Sequence, residues 1–400
     1  MDRRSFLGNI AALAALRNVP LLANTSSPDG SLKITGFKLH LTTWRWRSML
    51  FLEIETDGGL VGLGEGTVWR RADQVKDALE WLEPHFVGRD PAGIEDHWDR
   101  MYYRLTRWRS GAVLSTALSA VDMALWDLEG KRLGVPVWRL LGGPIHRELR
   151  AYYSHMERRA KSHKPEALAD AVLAEKARGW TAVKWATVGK GVTELERIRA
   201  TCAKAKAVRE AAGPAFEFGI ELFESFTPRS ALRLAHELAP YKPLFIEEPT
   251  WRENPDAMTD LALKSPVPVA TGEGLVTPFE FKQLLDAKGA AIIQPDVMHC
   301  GGITMLRKIA NLAELYGVEV APHMAEGPIG HVASLMTMSV CRNFLIHEWE
   351  AEDDELFTEL TDGTYPTQQN GRIPLPSGPG LGITVDFEEF KKRCPYIEKL

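Results

Sequence analysis

The architecture can be read from Leu244-Phe245-Ile246-Glu247-Glu248-Pro249. Three apolar residues read as a buried strand, and two carboxylates and a proline end it at once. The same arrangement recurs downstream. Val267–Ala270 runs into Thr271-Gly272-Glu273-Gly274, and Ala291–Gln294 into Pro295-Asp296. Val318–Ala321 runs into Pro322-His323, and Phe344–Ile346 into His347-Glu348. Upstream, Ala151–Ser154 is a further apolar run, Trp180–Trp185 ends near Lys184, and Glu217–Leu222 carries Glu221. Helical stretches separate these runs. Strand–helix alternation predicts parallel βαβ units, and eight of them between residues 151 and 355 fit a closed α/β barrel better than an open sheet.

Residues 33–65 alternate as strands, from Leu32 to His40 and from Leu50 to Thr56, with Asp57-Gly58-Gly59 as a turn. Residues 73–130 read as helices. Ala117, Val121, Ala124, Leu125 and Leu128 form one apolar stripe at helical spacing. The expected organisation is therefore an export signal and linker over residues 1–30, an α+β domain over 31–150, and the barrel over 151–355. A Gly- and Pro-rich segment, 356–400, should run back over the barrel mouth or onto the front domain.

Composition excludes several classes. Hydrophobic residues make up 45% and charged residues 25%, ordinary for a globular chain, so disorder, collagen and coiled coil are out as whole-chain readings. A net charge of -5 lacks the basic surplus of a nucleic-acid binder. No run of about 20 apolar residues offers a membrane span. Cys202, Cys300, Cys341 and Cys394 form no CxxC pair, so neither a disulfide scaffold nor a zinc knuckle is expected. The start, Met1-Asp2-Arg3-Arg4-Ser5-Phe6-Leu7-Gly8, with the short apolar run Ile10–Leu16, resembles a twin-arginine export signal, which points to a periplasmic or exported protein. Without that route the location is cytoplasmic.

Barrel enzymes gather their chemistry at the C-terminal ends of strands. A solvated loop charge explains any one such residue, but not a register of them at successive strand ends. Glu221, Glu247 and Glu273 on neighbouring strands would repel one another in a low-dielectric mouth. A hard divalent cation resolves that repulsion, and three carboxylates with room for water and substrate oxygens suit magnesium. Asp296 beside His323 fixes a tautomer and raises imidazole basicity, which makes a general base. Glu348 is placed to hydrogen-bond substrate oxygen.

As an ordered set, these segments resemble the enolase superfamily in its mandelate racemase and muconate-lactonizing branch. The resemblance also rests on Ala117–Lys131, Val135–Gly143 and Gly301-Gly302-Ile303-Thr304, and covers residues 33 to 385. Glu217-Phe218-Gly219, His299–Thr304 and Ala321-Pro322-His323 are most similar to D-galactonate dehydratase-like sugar-acid dehydratases. The resemblance implies a TIM-type (β/α)7β barrel beneath an α+β capping domain, and magnesium on Glu221, Glu247 and Glu273. It implies removal of the proton α to a carboxylate through an enediolate, a chemistry long associated with this superfamily. His323 would be the base, Asp296 its partner, and Lys184 a contact to the substrate carboxylate or an acid or base. The substrate would be a small carboxylate, a sugar acid, and the assembly a homo-oligomer.

Three departures stand out. The strand-three ligand is Glu221 where Asp is usual, Ala186 replaces a second lysine, and Phe223 stands where galactonate dehydratase-like enzymes carry an acid-providing His. Ala186 argues against a two-base racemase. A cycloisomerase, epimerase or racemase, and a catalytically silent binder, are the alternatives to a dehydratase. Specificity in this family comes from capping loops. Here these hold Thr43-Trp44-Arg45-Trp46-Arg47, Trp69-Arg70-Arg71 and Arg107-Trp108-Arg109. Arg45, Trp46 and Arg47 suit a carboxylated sugar, the alternative being a solvated basic rim. His155 and His299 are further substrate contacts by position, and Glu326, three residues after the base, is a weaker one.

Overall fold

The computed structural model describes residues 32–105, 107, 109, 111–187 and 193–398. Residues 1–31, where the sequence suggests an export signal, and Trp108 lie outside the described residues. Strands β1 (Ile34–Trp44), β2 (Arg47–Thr56) and β3 (Val61–Glu65) form an antiparallel sheet in the order β1-β2-β3. The ladder continues to the pair Trp44–Arg47, leaving Arg45 and Trp46 as the turn, with Arg45 at φ 56°. Thr43–Arg47 is therefore the tip of a hairpin. Both strands run longer than their apolar alternation indicates because Thr42, Thr43 and Ser48 are buried in the ladder.

The helix Ala112–Leu133 lies against this sheet. A side-chain carbon on Gly62 or Gly64 would come within 2.2 Å of the Ala124 carbonyl oxygen or 2.0 Å of that of Ala120. Glycine at these two positions lets helix and strand backbones touch. The helix also ties the layers together. Asp122 accepts from Thr304 N (3.0 Å) and Oγ1 (2.5 Å), and Asp127 from Leu63 N (2.8 Å) and Leu381 N (2.7 Å).

Eight parallel strands follow: β4 (Glu148–Tyr153), β5 (Ala182–Ala186), β6 (Glu217–Glu221), β7 (Phe245–Glu247), β8 (Val269–Thr271), β9 (Ile292–Ile293), β10 (Glu319–Val320) and β11 (His347–Trp349). They pair in the order β10-β9-β8-β7-β6-β5-β4-β11. A parallel bridge from Val320 to Phe344 joins the two ends, with Leu345 N donating to Val320 O at 2.9 Å. The sheet is thus a closed barrel with helices outside. The last strand corrects the sequence reading. The apolar run Phe344–Ile346 supplies the closing bridge, while the strand proper is the polar-looking His347-Glu348-Trp349.

The final segment returns to both layers. Strand β12 (Arg372–Pro374) pairs antiparallel with β4, and the helix Phe387–Arg393 packs Phe387 and Phe390 against Phe51 of the front sheet. No helix among the described residues is long and apolar enough to cross a membrane.

Candidate active site

Strand period two builds the site. Tyr152, Ala182, Phe245, Ala270, Ile292, Ala321 and Ile346 fill the barrel interior as one apolar layer. Two residues further along each strand lies the same face, one layer nearer the mouth. That rule sets Lys184 over Ala182, Glu247 over Phe245, Gln294 over Ile292, His323 over Ala321 and Glu348 over Ile346. Glu221 stands over Gly219, whose missing side chain leaves room for the Phe245 ring.

Of these, Lys184, Glu221, His323 and Glu348 line a cavity of about 850 Å³. Its walls include Trp46, Trp69, His155, Arg158, Phe223 and Arg252. Oxygen atoms of Glu221, Glu247 and Glu273 all lie within 4.8 Å of one another, so the three can hold one cation. The extra methylene of Glu221 is accommodated. Its Oε1 accepts from Phe223 N at 2.6 Å, and Phe223 itself sits at φ 46°. Lys184 Nζ reaches Glu247 Oε1 at 2.5 Å, Glu348 Oε1 at 2.8 Å and Glu221 Oε2 at 3.8 Å. Glu348 also accepts from Ser154 Oγ (2.6 Å) and Met324 N (3.0 Å), while Gln294 Nε2 donates to Glu247 Oε2 at 2.7 Å.

Across the mouth, His323 Nδ1 bonds Asp296 Oδ2 at 2.6 Å, and Met298 N donates to the other oxygen of Asp296 at 2.7 Å. His323 Nε2 faces the cavity, 3.6 Å from Glu273 Oε2. A second cluster, Asp296, His299 and Glu326, also gathers its ligand-type atoms within 4.8 Å.

The matched family models take up almost the whole chain. Residues 27–142 match the mandelate racemase/muconate lactonizing enzyme N-terminal domain, and residues 167–390 the enolase C-terminal domain-like family. The chain belongs to the mandelate racemase/muconate lactonizing enzyme family of the enolase superfamily. A D-galactonate dehydratase of Xanthomonas euvesicatoria pv. vesicatoria is 36% identical over 368 residues, 90% of this chain and 94% of that protein. A member of the enolase superfamily from Salmonella Typhimurium superposes with a TM-score of 0.84 at 28% identity, covering 92% of this chain and 99% of the other. A mandelate racemase/muconate lactonizing enzyme from Jannaschia sp. CCS1 gives 0.82 at 31% identity, covering 91% and 98%. This chain is an enzyme, and its relatives make it a lyase of the hydro-lyase class.

In this member of the family, electrostatics follow from burial. Burial, and then the neighbouring Glu247, push Glu221 well above the carboxylate range. Burial works against the charge on Lys184, but Glu247 and Glu348 outweigh it and hold the ammonium charged. His323 behaves likewise. Burial would lower it, yet Glu273, Asp296 and Glu348 raise it well above the ordinary imidazole value. Burial opposes ionisation of Asp296, but His299 and His323 keep it ionised.

Placement of the remaining sequence candidates is mixed. Trp46 and His155 line the cavity, and so does His299, whose Nδ1 lies 2.9 Å from Thr116 Oγ1 on the capping helix. Arg45 and Arg47 do not. Arg45 pairs with Glu352, and Arg47 is buried with Nη1 2.6 Å from Asp353 Oδ2 and Nη2 3.4 Å from Glu350 Oε2. Those acids lie some 300 positions downstream, where no local pattern reveals the pairing. Sequence reasoning missed Arg158, stacked 3.8 Å from the Trp46 ring centroid, and Arg252, held by Glu224 at 2.5 Å. Arg252 sits three residues past Glu248-Pro249, and that strand-end position was the signal available for it.

Proposed function

We propose that this chain is a magnesium-dependent dehydratase of a sugar acid, yielding a 2-keto-3-deoxy acid. The observation that carries the reading is one cavity holding a three-carboxylate cluster beside an imidazole oriented by a buried aspartate. Oxygen-only donors with a lysine and a glutamine close by fit a hard divalent cation. Glu221, Glu247 and Glu273 would hold it. When bound, magnesium supplies Lewis-acid stabilisation of the charge that develops on the substrate carboxylate.

The chain's own residues supply the rest. Asp296 holds Nδ1 of His323, so Nε2 is the atom that takes the proton α to the carboxylate. Glu273 is the strongest attraction on the His323 proton, so anything that neutralises Glu273 favours the basic imidazole. Lys184 brings a fixed positive charge to the reacting carboxylate, held by Glu247 and Glu348. A base alone contributes about 10²–10⁴-fold, so these fixed charges carry much of the stabilisation.

The test is a screen of purified protein with magnesium against aldonic and aldaric acids, D-galactonate among them, reading 2-keto acid by semicarbazone absorbance. We expect at least one acid to be dehydrated. A second reading, isomerisation, draws on Phe223 at the position of the usual acid. A mass-neutral product would replace dehydration with that reading, and no conversion of any acid despite bound magnesium would overturn the dehydratase assignment.

A further inference from the structure

With Phe223 in the place of an imidazole, the departing hydroxyl takes its proton either from His323, once that ring carries the α-proton, or from another donor. The polar groups that open onto the cavity narrow the choice. Lys184 is 4% exposed and Asp296 closed, whereas His323, His299 and Glu326 are open by 16%, 12% and 13%. Arginines in the walls do not give up protons. His155 lies two strands away from the base and its Nδ1 is committed to Glu350. Glu326 is three residues past the base on the same strand-end loop. Its Oε2 accepts from Ala325 N at 3.0 Å, and its Oε1 stands 3.9 Å from His299 Nε2. No arginine or lysine forms an ion pair with it among the described residues.

We infer that Glu326 is the general acid of the reaction, protonating the β-hydroxyl on the same face from which His323 removes the α-proton. The inference rests on the dehydratase reading. Burial and the neighbouring Asp296 push its carboxyl up to about 8, so it carries a proton at neutral pH. His323 and Arg47 pull the other way without overcoming them. In the step, the Cα–H pair becomes the Cα–Cβ double bond. The Cβ–O pair leaves with oxygen, and the Glu326 proton completes water. The enol then becomes the 2-keto acid by losing its hydroxyl proton and gaining one at C3. The proton on His323 returns to the Glu326 carboxylate through solvent, so the cycle closes with no other reagent. A donor on the same face as the base makes the elimination syn.

The test compares full-length wild type with Glu326→Gln, an isosteric change, in D2O with magnesium and the same acid panel. NMR reads deuterium at C2 and absorbance reads 2-keto acid. We expect the variant to lose dehydration by about 10²–10⁴-fold while still deuterating C2. A 3-deoxy-3-fluoro analogue, whose fluoride leaves without a proton, should react within tenfold of wild type. Dehydration at the wild-type rate would overturn the assignment. So would parallel loss of dehydration, C2 exchange and fluoride release in a variant whose melting and magnesium binding match wild type, because that is a structural role. A wild type that neither exchanges C2 nor forms 2-keto acid overturns the dehydratase reading itself, a result distinct from both.

Discussion

His323 reaches the cavity through Nε2 because Asp296 has taken Nδ1 at 2.6 Å and is itself fixed by Met298 N at 2.7 Å. This predicts that His323→Asn lowers kcat by about 10⁴–10⁶-fold and that Asp296→Asn, which leaves the ring in place but removes the charge that sets its tautomer, lowers it by about 10³–10⁴-fold. Groups acting as one unit are not additive, so the double variant should be no slower than His323→Asn. Steady-state kinetics with magnesium titrations check it. A double variant tenfold slower again would mean that Asp296 has a separate role. The pair was legible in the sequence because both residues end short apolar runs, and end-of-strand position is a local property. Arg45 and Arg47 show the opposite case. Their Arg-aromatic pattern looks like a ligand-binding rim, yet both guanidiniums pair with acids, Arg45 with Glu352 and Arg47 with Glu350 and Asp353. Ion pairs between distant segments depend on the closed fold, and no spacing rule announces them.

Among the barrel strands, apolar runs mark the position of each one, and that rule fails where function intrudes. Strand β11 presents His347, Glu348 and Trp349, with Glu348 turned to the cavity, so the strand that completes the site is its least apolar one. The apolar Phe344–Ile346 just before it closes the barrel instead. The helix Ala112–Leu133 was legible from its stripe, but its burial on nearly every face was not. That burial needs the front sheet on one side and the barrel on the other, and it depends on glycine. A methyl on Gly64 would stand 2.0 Å from the Ala120 carbonyl oxygen. Gly64→Ala must therefore push the helix off β3, at a cost of about 1–3 kcal/mol by the usual scale of overpacking. Because the same helix holds His299 through Thr116, the shift should also weaken catalysis. Urea unfolding and kcat on one preparation measure the two effects. An unchanged midpoint would show that the contact yields without strain.

Across the whole molecule, buried titratable groups oppose one another, and the pH dependence of stability is their difference. His331 projects from the helix Pro328–Met338 towards the returning tail, its Nδ1 2.5 Å from Tyr365 Oη, and burial lowers it to about 3. It folds neutral. Its contribution is complete above the unfolded value near 6.5 and drains away as pH falls towards 3. Asp122 joins the capping helix to the barrel through Thr304, and burial raises it to about 7. Its contribution has the other sign, complete below the unfolded value near 3.8 and lost as pH rises through 7. Linkage makes each worth about 2 kcal/mol between pH 7 and pH 5, in opposite directions. In the intact chain these two offset each other among the other buried carboxyls that titrate, while single substitutions separate them. The destabilisation caused by His331→Gln should shrink by about 2 kcal/mol on going from pH 7 to pH 5, and that caused by Asp122→Asn should grow by about the same amount. Urea unfolding of both variants and wild type at the two pH values gives the four differences needed. Parallel trends in the two variants would mean that one of these groups does not titrate in its buried place, and a flat response in both would mean that neither does.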